Sequence, residues 1–148
     1  MGRHRISCFA VALLLVGTFS ALDAAAMDPQ ELAEMYVESL SSNQVADLPL
    51  SDDVQFHGPL LEEPIEGRQQ VLAFLNRVAP SLLRIEAAAI HVSDDGACIE
   101  TVVQFAGMSD QELMEVACLR VTDGNITAIQ LYFDPSPFLE QQPGEENE

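Results

Sequence analysis

Residues Glu112–Asp134 read ELMEVACLRVTDGNITAIQLYFD and decide the fold. The dipeptide Asp123-Gly124 stands between two runs rich in apolar and β-branched residues, Leu113–Val121 and Ile126–Phe133. Both central residues of a type I′ turn need a positive φ, which Asp and Gly adopt at little cost. The segment therefore predicts a β-hairpin.

The turn also sets the expected pairing of the two strands. Counting outward from it places Glu115 opposite Tyr132 and Ala117 opposite Gln130, so these four side chains are expected on one face. The other face of the hairpin is largely apolar as well. We therefore expect both faces to pack against other parts of the structure.

Two helices are predicted ahead of the hairpin. Asp28 suits an N-cap, Pro29 suits the first helical position, and Glu31 completes a capping box. Apolar residues then recur at helical spacing, at Leu32, Met35, Tyr36 and Leu40. The second helix is predicted over Arg68–Val78 and ends before Pro80.

Strands are predicted at Val54–His57, Leu83–Val92 and Ala97–Phe105, ahead of the hairpin strands. Helices that precede a run of hairpin-linked strands indicate an α+β domain, which we place at residues 27–139. We expect a curved antiparallel sheet with the N-terminal helices packed on its concave face. That arrangement encloses a cone-shaped space between the sheet and the helices.

The two ends of the chain are expected to lie outside this domain. Residues 1–26 combine a basic start, a short apolar run and Ala24-Ala25-Ala26, which is typical of a secretory signal peptide cleaved near Ala26. The protein would then be periplasmic or secreted, with no membrane segment. An uncleaved membrane anchor is the alternative, although the run is short for a span. Residues 140–148 hold no core-forming side chain and predict a disordered acidic tail.

The chain is strongly acidic, with a formal net charge of −18 and no lysine. Without residues 1–26 it keeps four arginines and 23 acids, a net charge of −19. Such a chain repels phosphate backbones, which argues against a nucleic-acid partner. We interpret the charge as a source of solubility or an adaptation to salty or acidic surroundings, and a cationic partner is the alternative.

The order of elements resembles the SnoaL-like branch of the nuclear transport factor 2 superfamily. The sequences that carry the resemblance are SDDVQFHGP at 51–59, IEGRQQVLAFL at 65–75 and TDGNITAIQLYFDPSPFL at 122–139. The resemblance covers about residues 29–139 and implies a cone-like α+β barrel with an apolar cavity, often dimeric through the convex sheet face. Its members include isomerases, cyclases and dehydratases as well as proteins without catalysis, so the fold does not imply an activity.

Ketosteroid isomerase, a member of that superfamily, can be compared position by position. The tyrosine on its first helix matches Tyr36, its general-base aspartate matches Gly58, and its protonated aspartate matches Ala117. The isomerase needs a carboxylate to move the proton and two donors to hold the enolate oxygen. Only one of the three groups remains, so we do not expect steroid isomerisation by that mechanism.

The residues that we expect at the cavity are Tyr36, His57, Glu115, Ala117, Gln130 and Tyr132. A carboxylate such as Glu115 inside an apolar cone has a raised pKa and can act as a base, and His57 is a second candidate. The alternatives are a core position for Tyr36, an outward His57 and a solvated Glu115. We interpret the set as a binding site, and the sequence identifies no catalytic residue.

Metal and nucleophile motifs are weak or missing. His57 and His91 have no second ligand at the spacing of a zinc site, and no Gly-x-Ser-x-Gly sequence occurs. We therefore expect neither a metal nor another cofactor.

Two cysteines, Cys98 and Cys118, remain after export. They fall opposite each other if their strands pair about Met108, and an oxidising compartment would allow a disulfide. Two buried thiols are the alternative.

Three functions are compatible with these observations. The first is an exported dimer that binds a small apolar molecule in its cone, and the second is an enzyme of the same superfamily with an acid or base in the cavity. The third is a protein-interaction module without a ligand. An enzyme would need Tyr36, His57 and Glu115 in one pocket. A ligand would need a cone that its own large apolar side chains do not fill.

Overall fold

The computed structural model describes residues 26–108 and 111–140. The helices are α1 (Pro29–Ser41), α2 (Arg68–Val78) and α3 (Ser136–Leu139). The strands are β1 (Leu50–His57), β2 (Ile65–Glu66), β3 (Leu82–Ser93), β4 (Gly96–Phe105), β5 (Glu112–Thr122) and β6 (Asn125–Tyr132). The predicted signal peptide, up to residue 25, and the predicted acidic tail, from residue 141, lie outside the described residues.

The local signals in the sequence place both long helices correctly. The Glu31 backbone N–H donates to the Asp28 carboxylate at 2.9 Å, and the Asp28 N–H donates to the Glu31 carboxylate at 3.2 Å, which is the predicted capping box. The helix α2 has the predicted bounds. None of the helices in the described part of the chain is long and apolar enough to cross a membrane.

The strands form one curved, open sheet in the order β2-β1-β6-β5-β4-β3. Helix α1 packs on β3, β4 and β5, and α2 packs on β1, so the helices cover one face of the sheet. This confirms the α+β class. One pair departs from the expected antiparallel pattern, because β1 enters the sheet beside β6 in the same direction. Strand β1 also begins at Leu50 rather than at Val54.

The β5–β6 hairpin closes through the predicted turn. Asp123 has a φ of 50° and Gly124 a φ of 72°, as a type I′ turn requires. Thr122 pairs with Asn125, as expected from this turn.

Beyond the next pair, the register of the hairpin differs from the prediction. Val121 pairs with Ile126, but Arg120 pairs with Ala128, so Thr127 is an extra residue on β6. Its hydroxyl donates to the Arg120 carbonyl at 3.4 Å. A one-residue bulge turns every later side chain of the strand to the opposite face.

The bulge corrects the expected faces of β6. Leu131, rather than Gln130, lies opposite Ala117, and Tyr132 lies opposite Val116. Gln130 and Tyr132 therefore point to the face away from Glu115, and the expectation that these residues share its face is wrong.

Strands β4 and β5 pair with the predicted register. Cys98 lies opposite Cys118, and the two form a disulfide. The predicted pairing about Met108 is therefore confirmed, and of the two alternatives for the thiols the structure has the bonded one.

We predict that this disulfide contributes about 3 kcal/mol to the free energy of unfolding, the loop-entropy value for a sequence separation of 20 residues. Urea unfolding of residues 27–148 should show this loss in the double variant Cys98→Ala/Cys118→Ala and in the reduced wild type. Reductant should not change the double variant, which is the control. An unchanged urea midpoint for the reduced wild type would contradict the prediction.

Candidate functional site

A cavity of about 540 Å³ lies between the concave face of the sheet and the helices. The phenylalanines that line it are Phe56, Phe74, Phe105, Phe133 and Phe138. Their rings pack along its wall, with centroids 4.8 Å apart for Phe56 and Phe74 and 5.2 Å apart for Phe105 and Phe138. The large apolar side chains of the cone therefore line its interior and leave space in it.

Among the residues that the structure describes, two titratable side chains line this cavity, Tyr36 and Glu115. Tyr36 lies on the buried stripe of α1 and is 1% exposed. Glu115 lies on the inner face of β5, opposite Thr101 of β4, and is 8% exposed. The helix and the hairpin thus bring one phenol and one carboxyl to a single apolar space.

Burial controls the charge of the Glu115 carboxyl. It raises the pKa of Glu115 to about 7, and a hydrogen bond from Thr101 lowers that pKa in part. The Thr101 hydroxyl lies 3.2 Å from the Glu115 carbonyl oxygen and 3.5 Å from Oε1. Since it has only one proton to donate, it cannot satisfy both oxygens at once. Glu115 can therefore hold or release a proton near neutral pH.

Tyr36 has a different role in the cavity. Burial raises its pKa far above the ordinary value, and the charge of Glu115 raises it further. Its hydroxyl therefore stays neutral and serves as a hydrogen-bond donor or acceptor.

The structure divides the predicted site residues between the two faces of the sheet. Tyr36 and Glu115 line the cone, and Ala117 is fully buried on the same inner face. His57, Gln130 and Tyr132 instead line a second, shallower hollow of about 560 Å³ on the outer face, which we call the outer hollow. The expected convergence of His57 with Tyr36 and Glu115 in one pocket is absent.

One row of side chains crosses the outer hollow. Paired positions in five strands place His57, Gln130, Cys118, Cys98 and His91 side by side. No group of three His, Cys, Asp or Glu side chains within residues 26–108 and 111–140 has a geometry that could hold a metal ion.

Sequence reasoning missed three contributors to the cone. The first is Thr101, whose bond to Glu115 depends on cross-strand pairing that the sequence of its own strand does not specify. Phe133 and Phe138 come from the C-terminal segment, where Phe138 packs edge-on against Phe133 at 5.6 Å. Spacing alone could have placed Phe133 inward, because it follows Ile129 and Leu131 at alternate positions.

Comparison with known proteins agrees with this fold. Residues 25–129 match the family model described as SnoaL-like domain. An NTF2-like protein of unknown function from Cytophaga hutchinsonii superposes with a TM-score of 0.65 at 16% identity, covering 76% of this chain and 96% of that one. No curated protein matches the chain.

Two further solved structures are similar. A protein with a ketosteroid isomerase-like fold from Catenulispora acidiphila, in complex with trimethylamine, has a TM-score of 0.63 at 19% identity, covering 78% of this chain and 93% of that one. A steroid delta-isomerase from Pseudomonas aeruginosa has a TM-score of 0.64 at 22% identity, covering 81% and 87%. At these identities the likeness concerns the fold alone.

We predict that Glu115 makes stability fall as pH rises. Its pKa is about 7 when folded and about 4.5 in the unfolded chain, so between these values only the folded state holds the proton. Relative to the wild type, the free energy of unfolding of the variant Glu115→Gln should rise by about 3 kcal/mol between pH 4.5 and pH 8. This rise should level off above pH 7. Urea unfolding of both proteins across this range measures the difference. A difference that does not depend on pH would contradict a buried, titrating Glu115.

Proposed function

Because the chain belongs to the SnoaL-like domain family, whose cone serves either binding or catalysis, we propose that it binds a small apolar molecule in the cone cavity. The observation that carries this proposal is the cavity of about 540 Å³ with its aromatic lining. Ligand pockets usually measure about 300–1,000 Å³ and are mainly apolar with a few polar groups. Tyr36 and Glu115 are the polar groups that would orient the ligand.

The ketosteroid isomerase mechanism is not part of this proposal. The position that matches the isomerase base is Gly58, which lines the cone without a side chain, and the position of the second acid is the buried Ala117. The likeness to the steroid delta-isomerase extends to the fold and carries no activity to this chain.

Proton transfer by Glu115 is the second candidate function. A carboxyl with a pKa near 7 inside a cone is suited to accept a proton from a bound molecule or return one to it. Tyr36 would hold the oxygen on which charge develops. The enzyme would work with this pair alone, because His57 lines the other face.

We also propose that the chain is exported and works as a homodimer. The disulfide between Cys98 and Cys118 supports an oxidising compartment. The outer face of the sheet supports the proposal of a dimer, because Met114 is 60% exposed and Tyr132 is 56% exposed on neighbouring strands. Half-buried Val116 lies between them on the same face. Apolar side chains grouped in this way mark a protein interface more often than scattered ones do.

A pair of adjacent residues tests the cone as a ligand site. Leu82 lines the cavity, whereas Leu83 is 64% exposed and points away from it. The variant Leu82→Trp should weaken binding of the neutral apolar probe N-phenyl-1-naphthylamine about tenfold or more by filling space that the ligand needs. Leu83→Trp is the matched control and should bind like the wild type in a fluorescence titration. Equal affinities for the two variants, or no binding to the wild type, would refute the proposal.

A second pair tests the dimer. Sedimentation velocity of residues 27–148 should give a dimer, and Met114→Asp should shift it to a monomer because a charge would be buried in the interface. Leu139→Asp introduces the same charge at a position that is 56% exposed on α3, outside the outer face, and should remain dimeric. A monomeric wild type at micromolar concentration would refute the dimer without affecting the cone.

A further inference from the structure

The cone contains a buried acid whose partners are few. Among the residues that the structure describes, Thr101 is the side chain that donates to the Glu115 carboxyl, at the long distance of 3.5 Å. A carboxylate has about four acceptor positions, so most of its capacity faces the open cavity. A ligand donor that reached Glu115 would satisfy a group that the protein leaves nearly unpaired.

None of the residues that the structure describes supplies a cation to this acid. The chain has no lysine, and no arginine or histidine occurs among the described residues that line the cavity. Arg77 is a cation that lies beside a lining residue, because its guanidinium carbon is 5.8 Å from the centroid of the Phe74 ring. Its side chain is exposed and does not line the cone. A positive charge next to Glu115 would therefore have to come with the ligand.

The walls of the cone also suit a cation with an apolar body. Its five phenylalanines line the space that Glu115 borders. Ring faces attract ammonium groups, most strongly where water is excluded. The net charge of −18 adds a long-range potential that favours cations and opposes anions.

We infer that the ligand of the cone is an apolar molecule with one amine, whose ammonium pairs with the Glu115 carboxylate while its hydrocarbon part packs against the phenylalanines. This inference rests on the proposed function and names its ligand class. Tyr36 accepts a further hydrogen bond from the ammonium through its neutral hydroxyl oxygen. No bond is made or broken in this binding step.

The competing ligand classes make opposite demands on Glu115. A neutral carbonyl needs the protonated acid as a donor, a hydroxyl can accept from the acid or donate to the carboxylate, and an anionic molecule is repelled by the carboxylate. A cation gains most from ionisation of Glu115, because charge attraction adds to the hydrogen bond. The other groups that face Glu115 are Tyr36 of α1 and Thr101 of β4, and neither changes its charge between pH 5.5 and pH 7.5.

The test uses three probes with one skeleton, 4-phenylbutylamine, 4-phenylbutanol and 4-phenylbutyrate, titrated into residues 27–148 by calorimetry. At pH 7.5 the amine should bind about tenfold tighter than the alcohol, as a charge-assisted hydrogen bond provides. Its affinity should fall roughly 20-fold between pH 7.5 and pH 5.5, because a pKa of about 7 leaves few carboxylates at the lower pH. The amine itself remains protonated throughout.

Two variants test whether the preference for the amine and its pH dependence arise from the Glu115 carboxyl. Glu115→Gln should remove the preference for the amine over the alcohol and the pH dependence of amine binding. Glu38→Gln removes the same unit of charge from an exposed position of α1 and should behave like the wild type. The pH series on the wild type gives the same answer without any variant, should Glu115→Gln fold poorly.

The outcomes separate this inference from the proposed function. The amine class is refuted if 4-phenylbutanol or 4-phenylbutyrate binds as tightly as 4-phenylbutylamine, or if Glu115→Gln still prefers the amine. In either case the cone remains a binding site. If none of the three probes binds, both the amine inference and the apolar-ligand proposal fail.

Discussion

The interior of the cone depends on one extra residue in β6, Thr127. Strand alternation with a period of two would place Ile126, Ala128 and Gln130 on one face. The bulge at Thr127 breaks this period, so that Ile126 and Ile129 are both fully buried inside, followed by Leu131. Burying these aliphatic side chains in place of an alanine and a glutamine favours the bulged register. The same shift bends the strand, and bends of this kind give a sheet the curvature that a cone requires.

The curvature leaves an apolar space in which a single carboxyl has a large effect. Glu115 and Ala117 lie two positions apart on β5, hence on the same inner face. Taking a carboxylate out of water is unfavourable unless it is paired, and its raised pKa expresses that cost. Glu115 therefore lowers the stability of the fold at neutral pH and leaves a nearly unpaired carboxyl at the cavity. Among the described residues that line the cone, the titratable groups are Glu115 and Tyr36.

Local signals predicted the elements well, and long-range pairing explains what they missed. The capping box at Asp28, the bounds of α2 and the Asp123-Gly124 turn each depend on residues close together in sequence, so all three were predictable. The bulge is favoured because it buries both Ile126 and Ile129 against distant parts of the chain, and its sequence signal is faint: two isoleucines spaced by three instead of two. Strand alternation without the bulge predicts Gln130 and Tyr132 inside the cone, and this prediction is wrong. The parallel entry of β1 beside β6 was likewise beyond local signals, since nothing near β1 in sequence specifies its distant partner.

The disulfide on the outer face and the acid on the inner face follow from the same register. Cys98 opposite Cys118 and Thr101 opposite Glu115 belong to one uninterrupted antiparallel ladder between β4 and β5. A slip of one residue would turn Glu115 outward and would also separate the two sulfurs, because side chains alternate between faces. The covalent bond therefore excludes the shifted pairing that would remove the carboxyl from the cone. A link that is usually considered for its effect on stability thus also fixes the position of the Glu115 carboxyl in the cavity.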